Sequence, residues 1–284
     1  MKLSKIFALL LALCLISSAA CAATFTDAHG NVIELDDSLE AYAAVTLVGA
    51  DNAARQGETN LGDLWADALR WFAVSGEINA AFDEDDVKAG NDRIAVDADH
   101  VVALWNGGNL RADIAEGTFG AEALAEVLPF PNKVAVVYMT GAQLLETLEA
   151  ASQGLPYTAE TADACASLMQ VSGLTYTVDT AKAYDALEAY GDHWFTAGSV
   201  SRVSISDVNG QPFDAEATYA VITSNANFNG MDSSYVLKAA AEANEQSAVT
   251  TAVVRDVVFQ FIAAELNHQV GEAYAAPQGR LTVL

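Results

Sequence analysis

Hydrophobic positions along this chain follow two periods, and their alternation predicts a mixed architecture. A 3.6-residue period is clearest where Leu61, Leu64, Trp65, Ala68, Leu69 and Phe72 share one face, with Thr59 or Asn60 as N-cap. A second apolar stripe, Leu144, Leu145 and Leu148, follows Thr140 as its cap. A third joins Val254, Val257, Val258, Phe261 and Ile262. Between them, residues 101–105, 134–138, 174–178, 200–205 and 219–223 are short apolar or alternating runs that read as strands. Residues 25–34 read as a hairpin turning at Ala28-His-Gly-Asn31. Residues 36–39 are acidic and 40–48 read as a connector. The acid run 83–86 reads as a solvated loop or helix end, 183–195 as an inserted loop or short helix, and His268 as helical. Strands alternating with helices over the whole length predict an α/β or mixed α+β fold, with mixed sheets flanked by helices.

The first 23 residues change the picture of the compartment. Lys2 and Lys5, an apolar core over 6–16 and small residues through Ala23 have the form of a secretory signal peptide, too short to span a bilayer. No later run is long enough either, so no transmembrane segment is expected, and the mature chain is expected to be exported, periplasmic or extracellular. Lipid attachment at Cys21 is the alternative, weakened by Ser18 where a leucine would be expected. The remainder divides into a hairpin and connector over 24–44 and one domain over 45–284. Export leaves Cys165 without a disulfide partner, so it reads as a small buried residue; no Cys/His/Asn signature marks a catalytic thiol. The formal charge of −25, or −27 without Lys2 and Lys5, argues against nucleic acid and anionic membranes as partners. An anionic ligand would have to be held by individual cations, and the chain has only seven arginines.

One of these arginines closes the stretch that carries most chemistry, Trp105-Asn-Gly-Gly-Asn-Leu-Arg-Ala-Asp113. Gly107 and Gly108 permit a positive φ or close backbone approach. Arg111 offers a fork of donors suited to phosphate or vicinal hydroxyls. The stretch reads either as a ligand loop or as a plain turn between two elements. Phe130, between Pro129 and Pro131, reads as a ring presented at a rim or as a core aromatic. Asp232 reads as a turn or N-cap residue, and Arg55 as an ion-pair partner of Glu58 or Asp63.

Several segments in order resemble the C-terminal, substrate-binding domain of the bacterial and animal 5′-nucleotidase family. They are Arg55-Gln-Gly-Glu-Thr-Asn-Leu-Gly-Asp-Leu64, Asn106-Gly-Gly-Asn-Leu-Arg-Ala-Asp113 and Val127-Leu-Pro-Phe-Pro-Asn132. Thr140-Gly141, Gln170-Val-Ser-Gly-Leu-Thr-Tyr176, Asn209-Gly-Gln-Pro212 and Gly279-Arg-Leu281 continue the series. The resemblance implies an α/β unit that grips the nucleoside part of a nucleotide, a separate domain with two metal ions doing the chemistry. It implies that Arg55 and Arg111 meet ribose hydroxyls or phosphate oxygens and that Asn106, on the Gly107-Gly108 turn, hydrogen-bonds the same region. It further implies that Phe130 stacks on the base, Asn132 meets a base edge and Asp232 binds the ribose.

The chain departs from the family pattern in three places. The second base-stacking aromatic of the family falls on Ala226, so Phe228, two residues on, is the candidate replacement. Asn109 stands where the family motif has a third glycine, which would crowd the loop or add a donor. The metal-binding half is missing: Asp27-Ala-His29 has the form of its first motif, but no further one follows, and His29, His100, His193 and His268 are the only histidines. The expectation is an exported nucleotide- or nucleoside-binding domain with no cofactor of its own, acting with a separate metallophosphoesterase chain that carries the divalent metals. The alternatives are a hydrolase working through an unrecognised site, such as Asp232 or His193, and a surface protein that has lost the ligand.

Overall fold

An antiparallel hairpin comes first, β1 (Ala23–Thr26) and β2 (Val32–Leu35), with Ala23 opposite Leu35. The structure is a computed structural model that describes residues 23–26, 32–35, 40–82, 94–190, 194–197 and 199–284. For 23–26, 32–35, 187–190 and 194–197 the backbone alone is described. The signal segment up to residue 22 with Cys21, His29, the acid run 83–86 and His193 lie outside the described residues.

Strand β3 (Glu40–Ala43) lies within the stretch expected to be a connector, yet Ala41 and Ala43 are fully buried. The short helix α1 (Ala53–Gln56) and the long helix α2 (Asn60–Val74) follow. All six residues of the predicted α2 stripe are buried, and Thr59 is the cap, its hydroxyl accepting from the Gly62 amide at 3.0 Å. Strand β4 (Val101–Asn106) is buried at every position because its two faces enter two cores. Val101, Ala103 and Trp105 point to the α2 side, where the Trp105 ring lies 6.1 Å from that of Trp65, while Val102 and Leu104 enter the second core.

Strand β5 (Gly117–Gly120) leads into α3 (Ala121–Val127), and β6 (Lys133–Thr140) into α4 (Gly141–Ala151). Thr140 and Gln143 form a reciprocal capping box at the start of α4. Strands β7 (Met169–Ser172) and β8 (Leu174–Val178) are joined at Gly173, whose φ is +82°. Where a loop or short helix was expected, β9 (Ala186–Tyr190) and β10 (Trp194–Ala197) form an antiparallel hairpin. The strand expected over 200–205 is β11 (Val203–Val208), displaced because Val200 is exposed whereas Val203 and Val208 are buried. Then come β12 (Gln211–Pro212), β13 (Thr218–Ser224), α5 (Asn225–Phe228), α6 (Tyr235–Ala243), β14 (Ala248–Val253), α7 (Val254–Ala264), β15 (Gln269–Val270) and β16 (Leu281–Val283). Helix α7 ends before His268, so that residue is not helical: its φ is +62° and its Nδ1 lies 2.9 Å from the Glu40 carbonyl.

The central sheet has the order β14-β6-β13-β4-β7, with β13 and β4 parallel and the other pairs antiparallel. Two smaller sheets, β15-β3-β5 and β12-β11-β8-β16, are also mixed. Residues of α2, α3 and α7 fill one core and residues of α4 and α6 the other, so the mixed sheets flanked by helices are as expected. The register places the carboxyl ends of β4 and β13 beside the start of β6, with Ser224 opposite Val134. That edge, outside the carboxyl ends of two parallel strands, is where α/β sheets leave a crevice for ligands.

Candidate functional site

Asn106 is the last residue of β4 and is fully buried at this edge. Its Nδ2 donates to Asp232 Oδ2 at 2.8 Å and, at 3.4 Å, to the Ala166 carbonyl. Its Oδ1 accepts from Asn109 Nδ2 at 2.8 Å. Asn109, where the family motif has glycine, therefore fixes the Asn106 amide so that its donor faces Asp232. The sequence shows this position as a departure from the motif, but not the direction in which it acts.

Gly107 and Gly108 lie in a 3-10 turn with Asn109, and neither has a positive φ, contrary to one of the two uses expected of them. They serve close approach instead. A Cβ at Gly107 would overlap the Ala54 carbonyl oxygen, and one at Gly108 would collide with Ala166. Their bare backbones let α1 and the 3-10 turn Ala164–Ser167 close onto the turn that follows Asn106.

Arg55 lies on α1 and is only 8% exposed. The loop around it is pinned by Gln170, a fully buried side chain that the sequence shows only as part of a motif. Gln170 Nε2 donates to the carbonyls of Ala54 (3.0 Å) and Gly57 (2.9 Å), and its Oε1 accepts from the Thr59 amide at 3.0 Å. Gly62 has no Cβ because the Gln170 side chain occupies that space. The expected pairing of Arg55 with Glu58 or Asp63 is not what forms. Arg55 Nη1 donates to the Ala162 carbonyl at 2.8 Å and lies 3.6 Å from Asp163 Oδ1. Glu58 instead accepts from the amides of Gln278 (3.1 Å), Arg280 (2.9 Å) and Leu281 (3.3 Å). Asp63 is buried beside it; burial first, then the Glu58 charge, pushes its carboxyl up to about 8. Arg280 completes this second cluster with two bonds to Asp67, at 2.7 and 2.9 Å.

Arg111 is exposed, and its guanidinium carbon lies 5.8 Å from the centroid of the Phe130 ring. Phe130 is 43% exposed, a rim position and not a core one. Asn132 is half-buried at the start of β6, its carbonyl accepting from Val254 at 2.8 Å. Phe228 ends α5 and packs half-buried against the second core, and Ala226 leaves that helix without a ring at the family position. A bond from the Lys133 amide to Asn225 Oδ1, 2.9 Å, ties the Phe130–Asn132 segment to α5.

Asp232 and Ser233 are consecutive residues in left-handed conformation, with φ of +50° and +61°. The turn they make carries the Asp232 carboxyl to Asn106. Burial raises its pKa above the usual carboxylate value, while Arg55 and Arg111 both pull it down. The charges of two arginines, one on α1 and one just after the 107–109 turn, thus act on one carboxyl.

Among the described residues no group of three or more His, Cys, Asp or Glu is placed to hold a metal ion, so these residues do not fit a dinuclear metal centre. The His100 ring lies tilted against Tyr219 with centroids 5.5 Å apart, and Cys165 is buried and free, its thiol pushed up by burial. Among the described residues no helix is long and apolar enough to cross a membrane.

Comparison with known proteins agrees with this fold. The family model of the 5′-nucleotidase C-terminal domain matches residues 40–239. The trifunctional nucleotide phosphoesterase protein YfkN of Bacillus subtilis (strain 168) is 28% identical over 188 residues, 65% of this chain and 10% of that protein. The 5′-nucleotidase precursor of Thermus thermophilus superposes with a TM-score of 0.63 at 25% identity, over 92% of this chain and 48% of that one. The NAD nucleotidase of Haemophilus influenzae shares the fold, with a TM-score of 0.57 at 14% identity, over 92% of this chain and 48% of that one. The chain spans about half the length of these solved nucleotidases and about a tenth of YfkN. With that match over most of its length, the chain belongs to the 5′-nucleotidase C-terminal domain family.

Proposed function

We propose that this chain is an exported nucleotide- or nucleoside-binding domain that works with a separate metallophosphoesterase, which brings the divalent metals and performs hydrolysis. The observation that carries the reading is the 2.8 Å bond from Asn106 to Asp232, a carboxyl on which the charges of Arg55 and Arg111 both act, with the Phe130 ring under Arg111. An ionised Asp232 accepts from vicinal ribose hydroxyls. Asn106 holds that carboxylate in place, and Arg111 donates to ribose or phosphate oxygens. Phe130 offers a face to the base, with Phe228 as the second apolar contact and Asn132 at a base edge. Gly107 and Gly108 contribute by letting α1 and the 164–167 turn close around Asn106. In this reading residues 1–23 are removed on export, and the domain starts with β3 at residue 40, earlier than the expected residue 45, because that strand is buried and paired with β5 and β15. Nucleic acid is not a partner, because a formal charge of −25 repels polyanions.

Titration calorimetry with AMP, adenosine and UMP tests the reading: a saturable heat is expected, larger for the ligand whose base stacks best on Phe130. A folded chain that gives no heat with any of the three at millimolar concentration ends it. The same preparation is expected to release no phosphate from AMP with Mn²⁺, Zn²⁺ or Co²⁺ until a metallophosphoesterase is added.

A further inference from the structure

We propose that the strap between α4 and β7, and Asp163 in particular, makes this site select uncharged nucleosides over their phosphates. This rests on the nucleotide- or nucleoside-binding reading above and adds which form of the ligand is taken. The Arg55 guanidinium is almost entirely covered and already has two partners from the strap, the Ala162 carbonyl and the Asp163 carboxylate.

The strap is anchored along its length. Asn52 Nδ2 donates to Tyr157 Oη at 3.3 Å, and the amides of Thr158 and Thr161 each donate to the other's hydroxyl, at 2.8 and 3.2 Å. Ser167 Oγ donates to the Ala151 carbonyl at 2.8 Å, and Ala166 fills the space beside Gly108. Gln153, at the head of the strap, bonds Ser233, next to Asp232.

The charges then balance. Arg55 and Arg111 both lower the Asp232 pKa through their charge, and Arg55 already lies 3.6 Å from a second carboxylate, Asp163. A phosphomonoester at neutral pH adds about −1.5 to −2 charges. Arg111 is the exposed guanidinium of the pair, and it is shared with Phe130. A phosphate reaching for Arg55 must displace Asp163 or lie beside it. A neutral nucleoside asks only for hydrogen bonds and a stacking face, and leaves the Arg55–Asp163 contact in place.

Asp163 is fully exposed and its side chain caps no helix, so Asp163→Asn preserves the fold. Calorimetry at low ionic strength with adenosine and AMP, on both proteins, reads the proposal. The wild type is expected to bind adenosine at least as tightly as AMP. Asp163→Asn is expected to leave adenosine within about twofold and to tighten AMP by about three- to tenfold, a gain that shrinks in about 0.5 M salt because an exposed charge is screened. A wild type that prefers AMP overturns the inference, and so does a variant that shifts both ligands equally or neither; each of these leaves the nucleoside reading standing. Binding of neither ligand by either folded protein removes that reading, and the inference with it.

Discussion

The side-chain amide of Asn106 donates a 2.8 Å hydrogen bond to the carboxylate of Asp232, joining residues 126 apart in sequence at the carboxyl edge of the central sheet. Asn106→Ala strips the buried carboxylate of that donor and leaves Asn109 without its acceptor. A bond to a charged, buried partner is worth roughly 1.5–3 kcal/mol. The expected outcome is a loss of that order in urea denaturation, or a fall of about 3–12 °C in melting temperature for a domain of this size.

Asp232 also gives the site a pH dependence. Burial holds its pKa above the usual carboxylate value of 3.8, so it takes up a proton under milder acid than an ordinary aspartate. The protonated form is a poor acceptor for ribose hydroxyls. Adenosine affinity is therefore expected to fall as pH drops from neutrality, with a midpoint above the model-peptide value of about 4. Asp232→Asn is expected to bind weakly with a flat profile; affinities measured by calorimetry across the acidic range check both.

Phe130 and Arg111 make a cation–π pair at the rim, which separates ligand loss from fold loss. Phe130→Ala is expected to weaken nucleosides of any base by about 1–3 kcal/mol, the usual worth of one base–aromatic stack. Its melting temperature is expected to stay near that of wild type, because the ring is 43% exposed. Arg111→Lys keeps the charge but loses the planar fork over the ring, and a weaker version of the same phenotype is expected.

Far from that rim, Asp63 makes stability depend on pH in the opposite sense to an ion-paired carboxylate. Its folded pKa of about 8 lies above the unfolded value near 3.8. The folded state therefore holds the extra proton between these values. The stability Asp63 contributes is whole below about pH 4 and is lost as pH rises toward about 8. Asp63→Asn removes that slope while keeping the shape. The stability of wild type minus that of the variant, from urea denaturation, is expected to fall between pH 5 and pH 8.5; an unchanged difference would show that Asp63 titrates normally.

Much of this fold was legible because burial follows a local period. The α2 stripe from Leu61 to Phe72, its Thr59 cap and the unbroken apolar run of β4 each declare themselves within one or two turns of chain. Strand β3 spans four residues, too few for a period to stand out, and its burial comes from pairing with β5, some 75 residues onward. The β9–β10 hairpin read as a loop or short helix, although Gly191-Asp192 between its two short strands is a hairpin signal in the sequence. In the site, Arg55, Arg111, Asn106 and Asp232 were each visible as residue types in motifs. The partner of Arg55 was misread as Glu58 or Asp63, since only neighbours in sequence could be weighed; Asp163 reaches it through a strap that the Gly108 packing seats.

The amino-acid sequence alone determined the family, the helix-and-strand alternation and the set of polar groups available for a ligand, because side-chain chemistry and short-range periodicity are properties of the chain itself. The tertiary structure decided which of those groups meet. Parallel pairing of β4 with β13 puts Asn106 and Asp232 at one edge, and the missing side chains of Gly107 and Gly108 let α1 and the strap close in. Contacts between residues 50 to 130 positions apart depend on strand register and packing, and neither is written in any single stretch of sequence.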